Sequence, residues 1–110
     1  MNDKLASRKC KPCKEGSPPL KGDRIAEYAR AIDDQWCIVQ EHHLEKEFKF
    51  RDFKDALAFV NRVGEIAEAE GHHPEIWFTW GKVRLKIWTH KVDGLTESDF
   101  ILAAKADAAA

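Results

Sequence analysis

The sequence predicts an α+β domain in which a four-stranded antiparallel sheet carries three helices on one face, in the order α-β-β-α-β-β-α. Two segments place apolar residues three and four positions apart, which is the spacing of an amphipathic helix, and a third segment opens with the start signal of a helix at Thr96. Between them lie two pairs of short segments in which apolar and charged residues alternate, as in half-buried strands. With 110 residues and a 44% hydrophobic composition, the chain fits one domain with a single modest core.

The first helix is predicted over residues 21–34. Its apolar residues recur at helical spacing at Ile25, Tyr28, Ala29 and Ile32. Two strands follow at residues 36–40 and 46–50, joined around His42 and His43. Because these two histidines fall in a predicted turn, we interpret them as solvated side chains.

Local signals mark both ends of the second helix. Asp52 is a suitable N-cap residue, and an apolar stripe follows it to about Glu70. Gly71 then stands where helices commonly end in a left-handed residue. Pro74 prevents the helix from resuming, so the chain is expected to continue as a strand.

The second half of the chain repeats the pattern of two strands and a helix. The strands are predicted over residues 76–80 and 82–90, with Gly81 as the turn or bulge between them. Thr96 is a suitable N-cap, and Asp99 three residues later completes the sequence signature of a capping box. The closing helix is therefore expected to begin at Thr96 and to continue towards the alanine-rich end.

Composition excludes several classes of protein. The 18 basic and 19 acidic residues nearly cancel, so the chain lacks the basic surface of a nucleic-acid binder. No apolar segment is long enough to span a membrane, and no apolar signal segment opens the chain, so we expect a cytoplasmic protein. Three cysteines, an odd number, fit a reducing compartment better than a disulfide framework.

Residues 1–20 are interpreted as an irregular N-terminal arm, and residues 21–110 as the folded domain. The arm contains Cys10-x-x-Cys13, which by itself is a weak metal-binding signal. A closed zinc site needs four ligands, and the chain has no second Cys-x-x-Cys.

Three histidines are the strongest functional signal. His72 and His73 follow the second helix directly and precede Pro74, whereas His90 ends the last strand. Histidine is the side chain whose ordinary pKa lies near neutrality, so this set favours proton transfer or metal binding. Adjacent residues in extended backbone point in different directions, so His72 and His73 can line one pocket but do not easily share a metal. Each of them alone is also compatible with a solvated surface position.

Four neighbouring residues have two interpretations each. Glu68 either orients His72 or merely solvates its helix. Asp99 already has a complete structural explanation as a capping residue. The rings of Trp80 and Trp88 serve either packing or ligand stacking.

The spacing of these residues is that of a known family. The pattern is Glu68-x3-His72-His73-Pro74-x5-Trp80-x9-His90-x8-Asp99. It resembles the signature of the pterin-4a-carbinolamine dehydratases, also called 4a-hydroxytetrahydrobiopterin dehydratases, and the resemblance covers residues 21–104.

The resemblance implies a homodimer or homotetramer that acts as a hydro-lyase. Such an enzyme removes water from 4a-hydroxytetrahydropterin to give quinonoid dihydropterin during pterin cofactor recycling, without a cofactor or metal. It implies that His72 and His90 are the catalytic acid and base, and that His73 binds or orients the pterin. Four further residues would orient these groups or shape the pocket: Glu68, Asp99, Trp80 and Trp88.

Two alternatives remain open at this point. One is a protein-interaction module, because some animal members of the family bind a transcription factor as dimerisation cofactors. The closing helix would then present an apolar face at Phe100, Ile101 and Ala104. The other is a family member that acts on a molybdopterin-type pterin, since the same histidines would bind and protonate either ring. Neither alternative calls for a nucleic-acid or membrane partner.

Overall fold

The computed structural model describes residues 2–11 and 17–110. A 3-10 helix at Asn2–Ser7 precedes the main elements. These are α1 (Gly22–Ala29), β1 (Cys37–Val39), β2 (His43–Lys49), α2 (Phe53–Glu70), β3 (Glu75–Thr79), β4 (Lys82–Ile87) and α3 (Glu97–Ala109). The α+β class and the element order predicted from the sequence are confirmed. Within this described part of the chain, no helix is long and apolar enough to cross a membrane.

The sheet has the order β1-β2-β4-β3, and all of its neighbouring strands are antiparallel. One face carries the apolar residues of the central strands, including Leu44, Phe48, Val83, Leu85 and Ile87, all of which are buried. Helices α2 and α3 pack on this face, and α1 packs against α3. The alternation in the sequence therefore gives one covered face and one charged, open face.

The predicted helix ends are confirmed at α2. The Asp52 side chain accepts a hydrogen bond from the Asp55 backbone N–H at 2.9 Å. The helix runs to Glu70, and Gly71 follows it with φ of 66° and ψ of 28°. Because only glycine adopts this left-handed conformation without steric cost, the chain turns here and brings His72 towards α3.

Several boundaries differ from the sequence-based predictions because tertiary contacts decide them. Helix α1 ends at Ala29 rather than near Asp34, and the chain continues in turns to Asp33, whose carboxylate accepts from Lys46 Nζ at 2.5 Å and from the Gln35 backbone N–H. Strand β2 begins at His43 rather than Lys46, because it pairs with both β1 and β4.

Part of the N-terminal arm is docked on the domain. Leu5 is only 2% exposed and belongs to the hydrophobic core. The Cys10 backbone N–H donates to Glu70 Oε1 at 2.8 Å, and the Lys11 backbone N–H donates to Ser98 Oγ at 3.0 Å. This segment therefore crosses the C-terminal end of α2 and the N-terminal end of α3.

Candidate active site

A cavity of about 520 Å³ lies where the N-terminal arm, the end of α2 and the end of β4 meet. Its lining residues are Cys10, Lys11, Glu70, Gly71, His72, His73, Trp88, Thr89, His90 and Lys91. The pairing of Glu75 with Lys86 explains why the three histidines converge. Residues just before β3 and just after β4 lie at the same end of this antiparallel hairpin. The volume falls within the range of small-molecule sites.

His72 is held by a carboxylate that is fully buried. The Asp99 side chain is 0% exposed, and its Oδ1 lies 2.5 Å from His72 Nε2. Its Oδ2 accepts hydrogen bonds from the Thr89 hydroxyl and the Thr96 backbone N–H, each at 2.8 Å. An ionised carboxylate can only accept, so Nε2 of His72 carries the hydrogen in this bond. Nδ1 is then the ring nitrogen available for proton transfer.

Asp99 thus both caps the start of α3 and orients His72. Thr96 is the N-cap of α3, and the bond from its N–H to Asp99 is the capping-box contact predicted from the sequence. The second oxygen of the same carboxylate serves His72. The Thr96 hydroxyl lies 2.9 Å from Thr89 Oγ1, whose own hydrogen goes to Asp99. This closed network fixes both the start of α3 and the imidazole plane.

His73 lines the same cavity with a more exposed side chain. Its Nε2 lies 2.9 Å from Glu68 Oε1, and both side chains face solvent, at 61% and 83% exposure. Glu68 therefore orients His73, and the expectation that it orients His72 is wrong, since Asp99 occupies that place.

His90 is positioned by an aromatic stack. Its ring lies parallel to the Trp88 indole, with ring centroids 4.3 Å apart and an interplanar angle of 7°. Both residues line the cavity. Trp88 thus lies at the cavity, where its indole supports an imidazole, and its contribution to the site stays a prediction.

This cavity lies within a region that matches a known family. The model of the family described as "Pterin 4 alpha carbinolamine dehydratase" matches residues 18–109. The chain belongs to this family. The match spans all three histidines and Asp99, and it confirms the family resemblance.

Curated relatives match nearly the whole chain. A protein of Rubrobacter xylanophilus is 55% identical over 103 residues, which cover 94% of this chain and 95% of the relative. A protein of Alkaliphilus metalliredigens is 51% identical over 107 residues, which cover 97% of this chain and 96% of the relative. Both carry the name "Putative pterin-4-alpha-carbinolamine dehydratase".

Two solved structures also resemble the chain. A "transcriptional coactivator/pterin dehydratase" of Brucella melitensis has a TM-score of 0.78 and 32% identity, covering 84% of this chain and 98% of that one. A "pterin dehydratase-like protein", described as a RuBisCO assembly factor in the alpha-carboxysome, has a TM-score of 0.54 and 26% identity. It covers 61% of this chain and 77% of that one. The family fold thus occurs in proteins described by more than one role.

Trp80 is the one predicted site residue that the structure places far from the cavity. It follows β3 at the turn next to Gly81, and the cavity lies at the other end of the same hairpin. Its side chain is 64% exposed. The expectation that Trp80 shapes this cavity is therefore not met within the chain, because β3 is extended and separates Trp80 from His73 by its full length.

The N-terminal arm supplies cavity residues that sequence reasoning did not assign to the site. Burial, followed by the negative charge of Glu70, raises the pKa of the Cys10 thiol to about 11. The Cys10 N–H in turn holds the pKa of Glu70 below its usual value. Cys13 lies outside the described residues. Among the described residues, no cluster of three or more His, Cys, Asp or Glu side chains has the geometry of a metal site.

His42 and His43 were expected to be solvated, and this expectation is wrong. Both side chains are partly buried, and their ring centroids lie 5.4 and 6.0 Å from the ring centroid of Trp88. Burial lowers the pKa of His43, and the nearby charge of Lys86 lowers it further. The contact joins the start of β2 to the segment after β4, which is distant in sequence, so periodicity along the chain gave no sign of it.

Proposed function

We propose that this chain is a 4a-hydroxytetrahydropterin dehydratase that produces quinonoid dihydropterin and water during pterin recycling in the cytoplasm. The observation that carries the proposal is the buried Asp99 that holds His72 on the cavity that His90 also lines. Membership of the dehydratase family supports it. The cavity is large enough for a fused two-ring substrate.

The proposed reaction requires one proton donor and one proton acceptor. A donor gives its proton to the 4a-hydroxyl as the C4a–O bond breaks, and the oxygen leaves as water. An acceptor takes the proton from N5, and the electrons of that N–H bond form the C4a–N5 double bond. Each such transfer typically contributes about 10²–10⁴-fold in rate, and imidazole serves either role near neutral pH. Proton exchange with solvent then restores both groups.

We assign the acceptor role to His72 and the donor role to His90. His72 donates Nε2–H to Asp99, so its Nδ1 carries a lone pair in the neutral ring, and the buried carboxylate stabilises the imidazolium that forms. His90 keeps one face against Trp88 and reaches the same cavity. His73, oriented by Glu68, is assigned to binding the pterin.

The test is the dehydration of freshly generated 4a-hydroxytetrahydropterin, followed as quinonoid dihydropterin appears, with the uncatalysed rate subtracted. We expect activity in the wild type and large losses in His72→Ala and His90→Ala. Asp23→Asn, on the exposed first turn of α1, is the matched control and should retain full activity. A wild type no faster than buffer would refute the dehydratase, and active histidine variants would refute the assigned roles. Turnover of a molybdopterin-type pterin instead would favour that alternative.

We also propose that the chain forms homodimers or homotetramers. Five large apolar side chains on α2, β3 and the turn after β3 are at least 36% exposed, namely Phe53, Leu57, Ile76, Trp77 and Trp80. The expectation that the closing helix presents an apolar face is wrong, because Phe100 and Ile101 are buried in the core. Light scattering coupled to size exclusion should give a mass above the monomer, and a monomer at micromolar concentration would contradict this.

A further inference from the structure

The Trp88–His90 stack is itself supported by the turn between β1 and β2. His42 and His43, at the end of this turn, contact the Trp88 ring with centroid distances of 5.4 and 6.0 Å. His42 Nδ1 lies 3.0 Å from His43 Nδ1, so the two imidazoles form a pair. Four aromatic rings are thus in contact. Trp88 and His90 line the cavity, and His90 is the proposed proton donor.

A second connection reaches His90 through the loop between β4 and α3. His42 Nε2 lies 2.8 Å from Asp93 Oδ1. Asp93 occupies the left-handed region at φ of 52°, and its backbone N–H donates to the His90 carbonyl at 3.2 Å. The Thr89–Gly94 bridge closes this loop. One side chain, His42, therefore touches both the ring that stacks on His90 and the residue that bonds the His90 backbone.

We propose that His42 is a positioning residue for the reaction, holding the His90 imidazole against Trp88 through Asp93 and the indole. The part of this proposal that concerns catalysis rests on the proposed dehydratase function. The part that concerns ring position does not. Asp93 is 87% exposed, so the bond to His42 is a weak one, and the expected effect is moderate.

The direct readout is the resonance of the His90 ring protons in histidine-labelled protein. An indole stacked at 4.3 Å shifts these protons strongly upfield, and Trp88→Leu gives the reference without that shift. In His42→Ala we expect the resonance to move towards the Trp88→Leu position. In His42→Gln it should stay near the wild-type position, because the amide N–H has a similar reach to Asp93. Glu41→Gln, one residue earlier in the same turn, is the matched control and should leave it unchanged.

A second variant removes the His42–Asp93 contact by changing Asp93. Asp93→Gly keeps the backbone N–H and suits the positive φ, so it removes the carboxylate without straining the backbone there. It should shift the His90 resonance in the same direction as His42→Ala, and the double variant should add little to His42→Ala, because the His42–Asp93 contact is already absent there. An unchanged His90 resonance in His42→Ala, or additive shifts in the double variant, would overturn the proposal.

Activity separates positioning from a merely structural role. In His42→Ala, kcat should fall by about 3–10-fold, well below the loss typical of removing a proton-transfer group, while KM changes less than about twofold. His42→Gln should restore kcat. A changed KM with wild-type kcat would contradict the proposal. If the wild type is not a dehydratase, the resonance experiment still decides the position of His90, so the two failures are distinguishable.

Discussion

Asp99→Asn is the substitution that examines the site most sharply, because three hydrogen-bond donors converge on this one carboxylate. They are His72 Nε2–H, the Thr89 hydroxyl and the Thr96 backbone N–H. The introduced amide has the same shape but offers one acceptor atom and one donor atom. Either its N–H₂ faces the two threonine groups, which then lose their acceptor, or it faces His72, which keeps a hydrogen bond only by moving its hydrogen from Nε2 to Nδ1.

The expected cost to stability follows from the burial of the site. Asp99 is fully buried, so a hydrogen bond to a charged group is either lost or replaced by a neutral one, without compensation by water. Such a bond contributes about 1.5–3 kcal/mol. We therefore expect the free energy of unfolding in urea to fall by about that amount. The fold should be retained, because the amide oxygen can still accept the hydrogen bond from the Thr96 backbone N–H.

The expected cost to activity is larger. If the amide N–H₂ faces His72 Nε2, the imidazole must place its hydrogen on Nδ1, and the proposed proton acceptor is lost. We expect kcat to fall by about 10²–10³-fold, within the range of one general acid or base step. Asp107→Asn is the matched control, since Asp107 also lies on α3 and accepts from Trp36 and Lys46 away from the cavity. Wild-type kcat in Asp99→Asn, or an equal loss in Asp107→Asn, would refute the reasoning.

Three further predictions concern other parts of the fold. With Cys13 and Cys37 replaced by Ser, the Cys10 thiol should react slowly with iodoacetamide at pH 8, and the rate should rise with pH towards about 11; a fast reaction at pH 8 would contradict its buried environment. Lys46→Met should lower the free energy of unfolding by about 1–3 kcal/mol at pH 7, because it removes the hydrogen bonds to Asp33 and Asp107. The hydrogen bond to Lys46 holds the pKa of Asp33 below its ordinary value. Its contribution to stability is therefore fully present above the ordinary pKa and is lost as the pH falls through the lowered pKa. The free energies of unfolding of the wild type and Lys46→Met, measured in urea, should converge in acid. Gly71→Ala should cost about 1–2 kcal/mol through its positive φ, measured in the same way, and a neutral substitution would show that the chain relaxes there.

The features that could be predicted from the sequence are those specified by local chemistry. Asp52 and Gly71 mark the ends of α2 because a side-chain cap and a left-handed glycine act within a few residues. Thr96 and Asp99 mark the start of α3 for the same reason. The convergence of the three histidines followed from the resemblance in spacing, and the antiparallel pairing of β3 and β4 gives its physical basis.

The features that could not be predicted depend on contacts between distant segments. No pattern along the chain indicates that the β1–β2 turn packs on Trp88, or that Leu5 fills a place in the core. Glu68 stands four residues before His72 and five before His73, and spacing alone does not choose between them. Trp80 is part of the family spacing, yet the hairpin carries it to the far end from the cavity.

The dehydratase assignment is decided by the rate at which quinonoid dihydropterin appears from freshly generated 4a-hydroxytetrahydropterin, compared between the wild type and the double variant His72→Ala/His90→Ala. Circular dichroism and urea unfolding establish beforehand that the variant is folded. A wild type clearly faster than buffer and a folded double variant at the buffer rate are the predicted result. A folded double variant with wild-type activity would contradict the account.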